Sequence, residues 1–82
     1  MNKLETEIIN FKENVLTIGI SMSMYITQKK YFINKIEYLS NNCLRFFQQL
    51  YSMDMITKQQ YIDMKIKVDT SRKYYKSLLS FI

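Results

Sequence analysis

"TIGISMSMYIT", residues 17–27, carries two incompatible periods. Ile18, Ile20, Met22, Met24 and Ile26 alternate with small or polar neighbours, the pattern of a half-buried strand. Ile18, Met22 and Tyr25 also fall on a spacing of four and three, the pattern of one helix face. The period that wins decides whether the chain is all-α or contains a strand.

The surrounding sequence favours the helix. Steps of four and three from Leu4 reach Ile8, Phe11, Val15, Ile18, Met22, Tyr25, Lys29, Phe32, Ile36, Leu39, Cys43, Phe46, Leu50 and Met53. Of these fifteen positions only Lys29 is not apolar or aromatic. A single strand would have no partner here, and an unpaired strand edge is a liability. The alternative is an extended segment that pairs with another chain. Thr17, Gly19 and the β-branched residues weaken the helix locally, so any bend in it is expected near them.

Composition agrees. The 82 residues hold one glycine and no proline, whereas compact all-β folds need several tight turns rich in both. The apolar fraction of 48% is too high for a disordered chain, and the length allows one domain, residues 1–82. A lean toward Asn, Ile, Lys and Tyr is what A/T-rich coding sequence produces, as in low-GC bacteria, phages or mobile elements.

After Met53 the register breaks. Thr57 and Gln60 have the spacing of a capping box, with Ile56 and Tyr61 at the staple positions, so a new helix is expected to start at Lys58. Its stripe is Tyr61, Met64, Val68, Ser71, Tyr75, Leu78 and Ile82. The predicted fold is an all-α antiparallel bundle of three helices, about 3–27, 30–53 and 58–81, with its first turn at "TQKK" (27–30), where Lys29 interrupts the stripe. "SNN" (40–42) is a second candidate turn. The competing architecture is one helix over 3–53, about 75 Å long, plus the C-terminal helix in an oligomer.

"LYSMDMITKQQYIDMKIKV" (50–68) resembles the SHOCT family of short helical hairpins through Leu50, Ile56, Thr57, Tyr61 and Lys65. Asp54 stands where that family has glycine, and Gln59 and Gln60 replace its acidic pair. The resemblance covers nineteen residues and implies a helical hairpin with its turn at 53–57 that serves in binding or oligomerisation.

Nothing in the sequence assembles an enzyme. There is no histidine for a general base, and one glycine cannot build a phosphate loop. Cys43 is the single cysteine, so no internal disulfide and no Cys/His metal site are expected. Neither a cofactor nor a small-molecule substrate is implied. The longest stretch free of charge, Asn14–Gln28, is shorter than the roughly twenty residues needed to span a bilayer. Glu5 and Glu7 stand where a signal peptide carries positive charge, so a cytoplasmic protein is expected.

Binding is what remains. Ile20, Met24, Tyr31, Tyr38, Phe47, Tyr51 and Met55 lie off the main stripe, more apolar surface than a small monomer buries, and they are the candidate interface for a protein partner or a second copy. The second reading is nucleic acid. The net charge is +5, and "KIKVDTSRKYYK" (65–76) interleaves Lys65, Lys67, Arg72, Lys73 and Lys76 with Tyr74 and Tyr75. Those cations would meet phosphates, and an exposed Tyr74 would stack on an unpaired base. A basic amphipathic helix also suits an anionic membrane surface, the least favoured of the three.

Overall fold

A computed structural model describes residues 2–80. They form α1 (Lys3–Glu13), a π-helical turn (Asn14–Ile18), α2 (Met22–Ser52) and α3 (Lys58–Leu79), with no strand among the described residues. The expected last turn of the third helix at residue 81, and Ile82 of its stripe, lie outside them.

Residues 17–27 are neither a strand nor an unbroken helix. The chain leaves the helix through the π turn, where the Gly19 amide donates to the Asn14 carbonyl at 2.8 Å. Gly19 has φ +80° and ψ +151°, a conformation that L side chains rarely adopt. Ser21 then caps α2, its hydroxyl accepting from the Met24 amide at 3.2 Å. Thr17 bonds back to the Glu13 carbonyl at 2.5 Å, a contact that bends helix ends.

This moves the expected first turn from 27–30 to 19–21 and removes the fifty-residue helix. Both sequence candidates for the turn lie inside α2. The Lys29 ammonium reaches back one turn to the Tyr25 hydroxyl at 3.2 Å and stands over its ring, so its stem stays on the stripe while its charge has a polar partner. At "SNN", Ser40 is buried while Asn41 and Asn42 face outward. The helices are consequently unequal, at 11, 31 and 22 residues.

α2 and α3 form an antiparallel hairpin. Tyr51 packs edge-on against Tyr61 near the turn, and Glu37 meets Arg72 and Lys76 further along. The hairpin turn falls at 53–57, as expected. Helix α2 ends in a Schellman motif: Met55 N–H donates to the Leu50 carbonyl at 2.9 Å and Asp54 N–H to Tyr51 at 3.0 Å. Asp54 has φ +57°, the left-handed conformation that glycine takes most readily. The capping box at Thr57 is complete, with Gln60 N–H donating to the Thr57 hydroxyl and Thr57 N–H to the Gln60 side chain. Thermal unfolding followed by circular dichroism should show Thr57→Ala less stable by about 1 kcal/mol. Asp54→Gly should be more stable by up to about 1 kcal/mol.

α1 lies antiparallel to α2 and parallel to α3. Phe11 contacts the rings of Tyr25 and Phe32, Glu7 pairs with Lys35 at 3.2 Å, and Asn2 donates to the Tyr75 hydroxyl. The core is Ile8, Phe11, Phe32, Ile36 and Leu79, with Leu4, Val15, Ile20, Tyr25, Tyr75 and Leu78 packed against it. All of it sits where the three helices overlap. The molecule is 50 × 19 × 18 Å, and the end nearest the hairpin turn is only two helices thick.

Candidate functional site

The stripe on α2 continues past the point where α1 begins. Beyond Ile36 it runs through Leu39, Cys43 and Phe46, of which Leu39 is 40% and Phe46 55% exposed. With α3 opposite, Leu39 and Cys43 of this stripe, but not Phe46, line an open groove of about 480 Å³ in line with α1. Leu39, Cys43 and Phe47 on α2 and Met64 and Val68 on α3 form its apolar walls, and Leu4 closes the end nearest α1. The charged side chains on its lining are Lys3, Lys67 and Arg72, with no carboxylate among them. Arg72 is held by Asp69 at 2.7 Å and Glu37 at 3.6 Å, whereas neither Lys3 nor Lys67 has an ion-pair partner among the described residues.

Of the seven interface candidates from sequence, only Phe47 lines this groove. Ile20 is half-buried against the core. Met24, Tyr31 and Tyr38 are exposed along α2 at 51%, 53% and 66%, with Tyr31 packed edge-on to Phe32 and accepting from Lys35. Tyr51 covers Tyr61, and Met55 is exposed in the hairpin turn. The groove residues Leu39, Cys43, Met64 and Val68 sit on the stripes themselves, where sequence reasoning assigns them to the core. The signal that would have found them is a length mismatch: the stripe outruns any helix able to cover it.

A second apolar patch surrounds the break. Leu16, Ile18, Met22 and Ile26 are between 54% and 81% exposed.

The basic face of α3 is largely tied to the chain's own acids. Arg72 and Lys73 both pair with Asp69, Lys76 pairs with Glu37, and the Tyr74 hydroxyl donates to Glu5 at 2.7 Å. Lys65 lies over the Tyr61 ring at 5.3 Å. Of the candidate nucleic-acid contacts, Lys67 and Arg72 line the groove, and Arg72 is already held by Asp69 and Glu37.

These pairs shift titrations in directions that follow from their geometry. The Lys76 hydrogen bond holds the Glu37 carboxyl below the usual range, and Lys73 and Arg72 do the same for Asp69. Glu5 pushes the Tyr74 hydroxyl up, and Glu7 raises Lys35. A carboxylate with a depressed folded-state pKa contributes stability that is present above its unfolded value, about 4, and lost as pH falls through the folded value. The melting temperature should therefore hold from neutral pH to about pH 5 and fall below about pH 4. Glu37→Gln with Asp69→Asn should be less stable at neutral pH and should flatten that acid limb. An unchanged acid limb in the double variant would assign the acid loss to other carboxylates.

Among the described residues no helix is long and apolar enough to cross a membrane. No protein-family model matches the chain, and no curated protein or solved structure matches it significantly.

Proposed function

We propose that this chain is a non-enzymatic protein–protein interaction module that receives a helix in the groove between α2 and α3. The observation that carries this reading is the continuation of the apolar α2 wall, with Leu39 and Cys43 exposed and Phe47 half-buried, opposite Met64 and Val68 beyond the end of α1. Over the other half of the hairpin the same stripe is covered by α1. A helix laid in line with α1 would complete the three-helix cross-section along the rest of the molecule. Recognition of this kind needs apolar anchors spaced three and four on the incoming helix and a preformed trough on the receiver.

Nucleic-acid binding is less well supported, because phosphates would have to displace Glu37 and Asp69 from Arg72, Lys73 and Lys76.

The test uses the native thiol. Cys43 is exposed in the groove, so its alkylation rate reports whether the groove is occupied. Selection from a library of helical peptides should enrich sequences with apolar residues spaced three and four. Those peptides should slow alkylation of Cys43 and lose binding to Leu39→Asp, whose side chain lines the groove and is 40% exposed, so that the variant should stay folded. Enrichment of no helical peptide, together with an alkylation rate that does not fall as the protein is concentrated, would overturn the reading.

A further inference from the structure

We infer that the groove's occupant is an acidic amphipathic helix of another protein rather than a second copy of this chain; the inference rests on the groove being a helix-binding site. Charge decides it. Lys3 and Lys67 border the apolar trough, no carboxylate lines it, and Arg72, the other charged residue on the lining, is already held by Asp69 and Glu37. A helix of opposite sign on its flanks would find two ammonium groups that have no ion-pair partner within the described chain. A second copy presenting the same groove would bring Lys3 and Lys67 against their own kind, with a net charge of +5 on each chain.

The dimensions are those of a short helix. The α2 wall from Ile36 to Phe47 is about 16 Å long at 1.5 Å per residue, room for three turns. The incoming apolar ridge would sit over Cys43 and between Phe47 and Met64. Glutamates on its flank would reach Lys67 on the α3 side and Lys3 at the closed end.

Two synthetic peptides of about fourteen residues test this, each with leucines spaced four and three. One carries glutamate and the other lysine at every flanking position. Binding is read by fluorescence anisotropy and by protection of Cys43 from alkylation. The glutamate peptide is expected to bind roughly three- to tenfold more tightly at low salt, and the preference should shrink at about 0.5 M salt. In Lys3→Glu with Lys67→Glu, two exposed positions, the preference should reverse. Equal affinity for both peptides, or no response to the charge reversal, overturns the inference while leaving a helix-binding groove in place. Slowing of alkylation on concentrating the protein alone also overturns it, since the occupant is then a second copy. Failure of both peptides to bind or to protect Cys43, with no slowing on concentration, removes the groove reading as well.

Discussion

Ile36→Ala should lower the unfolding free energy by about 3 kcal/mol, and the melting temperature by roughly 15 °C, in thermal and urea denaturation followed by circular dichroism. Ile36 is 2% exposed at the point where all three helices meet, beside Ile8, Phe32 and Leu79. Its removal leaves a cavity that three rigid helices cannot close. Folded domains of this size hold only about 4–12 kcal/mol in total, so the loss is a large share. Leu39→Ala, one turn further along the same stripe but 40% exposed, should cost much less, because little of its area is removed from water. Equal losses at the two positions would mean that the groove is as buried as the core and that the core does not stop where α1 begins.

A second large effect is expected at the break. Gly19→Ala combined with Ser21→Ala should convert the folded-back α1 into a continuation of α2 and double the molar mass measured by light scattering. The native turn depends on two local features. Gly19 occupies a φ of +80°, where alanine costs about 1–3 kcal/mol, although nothing lies close enough to clash with an added Cβ. Ser21 supplies the cap of α2, worth about 1 kcal/mol. Alanine at both positions also raises helix propensity through the break. In the straightened chain Ile18 and Met22, now 81% and 71% exposed, would rejoin the stripe, and α1 would seek its place on a second molecule. A parent-like molar mass with lowered stability would show that α1 docking outweighs the local preference for helix. Gly19→Ala alone should give a weaker shift, since the Ser21 cap still stops the helix.

The helical character of the chain was legible because periodicity and caps act over three or four residues. The stripe from Leu4 to Met53, the capping box at Thr57 and the turn at 53–57 are all signals of that range. Asp54 shows the same locality: it takes at the end of α2 the left-handed φ that glycine adopts most readily. The break was legible only as a weak spot. Gly19, Thr17 and Ser21 marked it, but Lys29 looked like the stronger interruption, because its contact with Tyr25 one turn earlier does not show in a pattern of apolar and polar letters. The candidate site was the least legible. Leu39, Cys43 and Val68 carry the spacing of core residues, and exposure separates them from Ile36 only once the length of α1 is known.

By itself, then, the sequence determined that the chain is helical, where its last helix begins and which side of each helix is apolar, since all three follow from contacts within one turn. Only the tertiary structure decided that the first helix folds back at 19–21, and therefore which half of the apolar stripe is covered and which half is left as a groove. The physical reason is that burial belongs to pairs of helices: a residue's spacing selects its face, but the length and position of the neighbouring helix determine whether that face meets protein or water.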